Sequence, residues 1–154
     1  MTRRLHVFVI DDSVPDLLLA EEVFATFNDK VTVTTYQSGQ AALNAMWLSD
    51  AVYPDIVLLD INMPKMNGFE VLKAMKTDAR LKSIPVVMLT TSLAAQDVTQ
   101  AYSLFANSYV VKSVDFSQFL RQIESLVEFW TRSRLLNWPT PLSMESTSSI
   151  RLKD

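Results

Sequence analysis

Six polar residues stand where short apolar runs give out: Asp11 and Asp12 after LHVFVI, Asp60 at the end of IVLLD, Thr90 and Thr91 closing VVMLTT, and Lys112 after SYVV. A carboxylate ending an apolar run must be neutralised, hydrogen-bonded or paired with a cation, because an isolated buried charge is very costly. Three acids brought together raise one another's pKa values unless a cation binds. Hard oxygen ligands in an open cluster, with no His or Cys beside them, suit Mg²⁺, which keeps several waters and often binds phosphate oxygens. Lys112 could hold a phosphoryl oxygen as a point charge, and Thr90 could donate its hydroxyl to the same group. An aspartate with metal on one side and lysine on the other can act as a nucleophile, and neutralising the equatorial oxygens is most of what phosphoryl transfer asks of a protein. Asp60 is the candidate nucleophile and Asp11 and Asp12 are the candidate metal acids. Singly, each has a plainer reading as a helix cap, a turn residue, a solvated lysine or a strand-forming threonine. Their common position at strand ends carries the argument.

That position requires a parallel sheet. Short β-branched runs alternate with segments of helical period, the pattern of strands wrapped by helices in an α/β, doubly wound domain. Strands are expected at Leu5 to Ile10, Val31 to Tyr36, Ile56 to Asp60, Pro85 to Thr90 and Ser108 to Val111, with five helices at 14 to 28, 38 to 48, 67 to 77, 94 to 105 and 116 to 133. HVFVI, IVLLD and VVMLT are continuously apolar, as for central strands covered on both faces, whereas VTVTTY alternates like an edge strand. Functional groups of such a sheet gather beyond the carboxyl ends of its strands. Ser13 and Asp16 have capping-box spacing and Pro15 suits a first turn. Leu17, Leu18 and Leu19 cannot all face the core, since successive helical residues point about 100° apart, so at least one is expected to be exposed.

Composition narrows the chemistry further. The chain has 154 residues, no cysteine and one histidine, His6. Thiolate metal sites, cysteine nucleophiles and disulfides are thereby excluded, and histidine triads with them. Residues 1 to 120 carry 9 basic and 13 acidic side chains and residues 121 to 154 carry 5 and 4, which is no basic footprint for nucleic acid. No apolar run approaches the roughly 20 residues of a membrane span, and MTRRLHVFVIDD lacks a signal peptide's apolar region. A cytoplasmic location is expected.

VIDDS, LLDINMPKMNG, VVMLTTS and SYVVKS resemble the receiver domain of two-component response regulators, over roughly residues 5 to 132. The resemblance implies a flavodoxin-like sheet of five parallel strands in the order 2-1-3-4-5. It implies Asp60 as the phosphoacceptor, and Asp11, Asp12, Asp60 and the Asn62 backbone carbonyl as the protein ligands of Mg²⁺. Lys112 corresponds to the phosphate-binding lysine, Thr90 to the switch hydroxyl and Tyr109 to the switch aromatic. Asn62 and Ser92 correspond to positions that tune phosphoryl lifetime. The chain departs from the pattern at Ser113, where the family usually has proline, which implies a looser loop after the fifth strand. It departs again at FANSY, where the family tends to have glycine before the switch aromatic.

The receiver-like part is expected to end near residue 132, with 133 to 154 an extension that is apolar at first and then mobile. The chain is expected to stop before any output domain and to act through protein contacts. Leu126, Phe129, Trp130, Leu135, Leu136 and Trp138 continue an apolar pattern and are candidates for a homodimer interface. The FW pair resembles stand-alone receivers paired with phytochrome-type histidine kinases, so the implied partner is a sensor histidine kinase of that kind. The expected function is thus a single-domain response regulator that accepts phosphate and slowly hydrolyses it, not an enzyme with turnover on a small substrate. Two other readings stay open: a receiver-like binding module that works without phosphorylation, and an aspartate-nucleophile phosphatase of the haloacid dehalogenase type. The latter wants an acid two residues after the nucleophile, where Asn62 stands.

Overall fold

The computed structural model describes residues 4–133. In chain order it comprises β1 (Leu5–Ile10), α1 (Val14–Ala25), β2 (Val31–Tyr36), α2 (Gly39–Trp47), β3 (Ile56–Leu59), α3 (Gly68–Lys76), β4 (Val86–Thr90), α4 (Ala95–Ser103), β5 (Ser108–Val111) and α5 (Phe116–Arg132). The five strands form one parallel sheet in the order β2-β1-β3-β4-β5. This is the doubly wound, flavodoxin-like arrangement expected above.

Strand alternation divides the core in two. Phe8, Ile10, Val57, Leu59, Val86 and Met88 pack with buried side chains of α2 and α3 on one face. Val7, Val9, Ile56, Leu58, Val87 and Leu89 pack with α1 and α5 on the other. β1, β3 and β4 are apolar throughout because both faces are covered. β2, with only Val31 fully buried, lies at an edge.

Local chemistry sets the element ends. Ser13 caps α1 by accepting from the Asp16 amide at 3.3 Å, with Pro15 in the first turn. The Asp16 carboxylate does not complete a reciprocal box; it turns toward Lys112. α1 stops at Ala25, three residues short of the expected end, where the Thr26 hydroxyl bonds the Val23 carbonyl at 2.7 Å and tight turns run on to Lys30. Within α1, Leu17 is buried and Leu18 is 59 % exposed, as the helical spacing requires. A complete capping box between Asn67 and Glu70 opens α3. No described helix is long and apolar enough to cross a membrane.

Candidate functional site

β1 and β3 are neighbours, so their carboxyl ends deliver the three acids to one place. The Asp60 amide donates to the Ile10 carbonyl at 3.0 Å, fixing the register of the two tips. Carboxylate oxygens of Asp11, Asp12 and Asp60 can all lie within 4.8 Å of one another. Asp11 is buried, Asp12 is exposed and Asp60 lies between these extremes. Hard oxygen donors with one open, solvent-facing side fit a divalent cation of the Mg²⁺ or Mn²⁺ type.

Asp60 is held by its own backbone surroundings. Its Oδ1 accepts from the Ile61 amide at 2.9 Å. The Ile61 carbonyl accepts from the Gly68 amide at 2.8 Å, closing the loop back onto the strand tip. A side chain at residue 68 would collide with the Asp60 carbonyl oxygen and come within 2.8 Å of the Ile61 Cα. Glycine is required here for close approach, not for an unusual φ. Lys65 takes a left-handed φ of 67° in the intervening turn.

Burial pushes the Asp60 pKa up, and the neighbouring Asp11 charge adds to the rise; the Thr90 hydroxyl, the Lys112 ammonium and the Ile61 amide offset only part of it. Asp60 therefore resists ionisation, and a cation among the three acids would relieve that resistance.

Lys112 follows β5, whose tip is aligned with β4 by the Lys112 amide donating to the Thr90 carbonyl at 2.7 Å. Its ammonium donates to Asp11 Oδ2 at 2.7 Å and to Asp16 Oδ2 at 2.9 Å. Burial, the largest single influence, works to lower the Lys112 pKa. The bonds to Asp11 and Asp16 and the charges of Asp11 and Asp60 together overcome it and hold the ammonium above the ordinary lysine value.

Thr90 is fully buried, and its oxygen also accepts from the Ser92 amide at 3.4 Å. Tyr109 is half-buried against the α2–α3 side of the core, and its hydroxyl donates to the Ser92 carbonyl at 3.0 Å. Ser92 in turn donates to Asp97 Oδ2 at 2.5 Å, at the start of α4. Asn62 is exposed just beyond Asp60.

Of the proposed interface residues, Leu126 and Trp130 pack partly against the α1–α5 core. Phe129 is exposed and meets the Trp130 ring edge to face at 5.0 Å. The three line a groove of about 570 Å³ with Asn107, Ser108 and Val110 along the outer edge of β5. Leu135, Leu136 and Trp138 lie outside the described residues.

Two polar residues enter the site's support that the sequence did not single out for it. Asp16 was legible only as a helix-start acid, and its carboxylate bonds Lys112. Gln122 of α5 spans the loop after β5: its side-chain amide donates to the Val111 carbonyl at 2.6 Å and accepts from the Ser113 amide at 3.1 Å. The backbone on both sides of Lys112 is thus tied to Gln122. Position 122, two turns into an amphipathic helix, gave no sequence signal for this.

A family model described as the response regulator receiver domain matches residues 7–124. The probable methanogenesis regulatory protein FilR2 of Methanothrix harundinacea is 34 % identical over 127 residues, covering 80 % of this chain and 82 % of that protein. The response regulator Rcp1 of Synechocystis is 33 % identical over 128 residues, covering 80 % and 87 %. Its Mn²⁺-bound crystal structure superposes with a TM-score of 0.78 at 32 % identity, over 85 % of this chain and 98 % of that one. The phosphorylated cyanobacterial phytochrome response regulator RcpA gives 0.81 at 34 % identity, over 86 % and 99 %.

Proposed function

This chain belongs to the response regulator receiver family, and on that premise we propose that it accepts a phosphoryl group on Asp60 from a sensor histidine kinase of a two-component system. The observation that carries the reading is the convergence of Asp11, Asp12 and Asp60 within one ligand-sized space, with the Lys112 ammonium already bonded to Asp11. Asp11, Asp12, Asp60 and the Asn62 backbone carbonyl would hold Mg²⁺. When bound, the ion neutralises charge on the transferring group and on the acids around it.

An Asp60 carboxylate oxygen attacks phosphorus, and the bond from phosphorus to the donor histidine nitrogen breaks. The electron pair stays with the imidazole, which takes up a proton, and an acyl phosphate remains on Asp60. Lys112 compensates one phosphoryl oxygen and the Thr90 hydroxyl turns to another, both as charge-assisted hydrogen bonds. Moving Thr90 opens space beside Tyr109, whose tie to the Ser92 carbonyl links the site to the start of α4. The result is a population shift of that surface, driven by differential hydrogen bonding. Slow hydrolysis of the acyl phosphate resets the protein, with Asn62 and Ser92 placed to tune its lifetime.

A phytochrome-type kinase is the proposed donor, supported by the similarity to RcpA and Rcp1. We assign residues 1–132 to the receiver and 133–154 to an extension. The proposed state is a cytoplasmic homodimer joined through α5 and the extension, by Leu126, Phe129, Trp130, Leu135, Leu136 and Trp138. Nucleic acid and membrane play no part in this reading.

The test is incubation with acetyl phosphate and Mg²⁺, followed by intact-mass measurement. A gain of one phosphoryl group that disappears when EDTA replaces Mg²⁺ is expected. An unmodified mass under conditions that trap the acyl phosphate would leave only the binding-module reading, and multiple turnover of a small phosphoester would favour the phosphatase.

A further inference from the structure

Lys112 is the only basic side chain that the described site presents to its three acids, so what fixes its ammonium fixes where positive charge is available. An ammonium has three donor directions. Here two are taken, by Asp11 at 2.7 Å and Asp16 at 2.9 Å, and neither leads to Asp60. The two acceptors are unlike. Asp11 is buried at the tip of β1 and belongs to the acid cluster, whereas Asp16 stands in the first turn of α1, outside that cluster, with its side chain 42 % exposed.

Asp16 is itself firmly placed. It lies in the first helical turn, where the helix dipole favours an anion, and its amide is capped by Ser13. A cavity of about 220 Å³ lined by Asp11, Asp16, Lys112, Ser113 and Phe119 lies on this α1–α5 side of the sheet. The lysine stem therefore has room to swing away from Asp60 if nothing holds its end.

We propose that Asp16 is a positioning residue for phosphoryl transfer: it anchors the Lys112 ammonium from the α1 side, so that the lysine keeps its place and its free third donor when the Asp11 carboxylate is committed to a cation. The inference deepens the receiver reading and rests on it. A carboxylate that must share its charge with a divalent cation is a weaker acceptor for an ammonium. Asp16 lies outside the cluster and is not drawn into holding a cation. Removing the anchor leaves every candidate metal ligand and Asp60 itself intact, yet lets Lys112 wander into the adjoining cavity.

The experiment uses the full chain as wild type, Asp16→Asn and Asp16→Glu. The Lys112 ammonium is followed by nitrogen-15 NMR during a Mg²⁺ titration, with its signal assigned by loss in Lys112→Met. The initial rate of acetyl phosphate labelling is measured at saturating Mg²⁺. In wild type the ammonium signal stays protected from exchange with Mg²⁺ present. In Asp16→Asn we expect that protection to be lost and labelling to slow by about tenfold, the scale typical of residues that orient a ligating group. Asp16→Glu, which keeps the charge, restores both in large part. Unchanged labelling in Asp16→Asn, or a signal as protected there as in wild type, overturns the proposal. If wild type itself takes no label, the receiver reading fails and the NMR comparison alone decides whether Asp16 anchors the lysine.

Discussion

The tips of β3 and β5 each deliver one charged group to the site, and they are built in opposite ways. At β3, Asp60 is fixed by its immediate chain neighbours: the Ile61 amide on its carboxylate, the Gly68 amide on the Ile61 carbonyl, and the glycine pressed against the Asp60 carbonyl. At β5, Lys112 is fixed by partners far along the chain, Asp11 and Asp16 lying 101 and 96 residues away, and by Gln122 reaching back from α5. A nucleophile built on local backbone geometry has one position. A cation held by side chains can be retuned by whatever moves those side chains. The first arrangement suits chemistry and the second suits regulation.

The sharpest break of that contrast is at Gly68. A methyl group there cannot be absorbed by a flexible neighbour, because the obstacle is backbone. Gly68→Ala should cost about 3 kcal/mol by overpacking and abolish labelling, read by urea unfolding and by mass after acetyl phosphate. Gln122→Leu attacks the other tip. It leaves the Ser113 amide and the Val111 carbonyl without their side-chain partner, and should cost about 1–2 kcal/mol. Labelling should slow but persist, since the acids are untouched.

Asp60→Asn sharpens the comparison through pH. Burial, with Asp11, raises the Asp60 pKa above its ordinary value, so the folded state binds this proton more tightly than the unfolded chain. Between the ordinary and the raised value the native state holds more protons, and stability falls as pH rises through that window. At neutral pH without metal, Asp60→Asn should therefore unfold at a higher temperature than wild type. The difference should shrink as pH falls below the window, and added Mg²⁺ should stabilise only the wild type strongly.

The smallest effect is expected at Phe105, beside β5. It follows α4 with a φ of 70° and a ring 74 % exposed. The Ala106 amide bonds back to the Ala101 carbonyl at 3.0 Å, a helix end that normally favours glycine. Phe105→Gly should stabilise the fold by about 0.5–1 kcal/mol, measured by thermal unfolding, with labelling unchanged.

The same contrast explains what the sequence disclosed. β1, β2 and β5 begin and end at the residues expected, because a β-branched or apolar run flanked by polar residues leaves little choice of boundary. β3 stops one residue before Asp60 and β4 starts one after Pro85, which has no amide hydrogen to give to a ladder. The acid cluster was legible because each acid directly follows an apolar run whose place as a central strand is clear, so the sheet order alone brings Asp11, Asp12 and Asp60 together. Asp16 looked like half of a capping box, since nothing local separates an acid that caps from one that reaches a lysine just past β5, three positions from β1 across the sheet. Gln122 was invisible for a related reason. Its partners are backbone atoms exposed by Ser113, and the residue type at 113 signals a missing proline without saying who meets the freed amide. The FANSY departure likewise marks a glycine-favouring helix end occupied by Phe105.

The most direct measurement compares intact masses of wild type and Asp60→Asn after identical treatment with acetyl phosphate and Mg²⁺. One added phosphoryl group on wild type and none on a folded Asp60→Asn protein is the result expected if the buried β3 acid is the acceptor. Equal labelling of both proteins would contradict it.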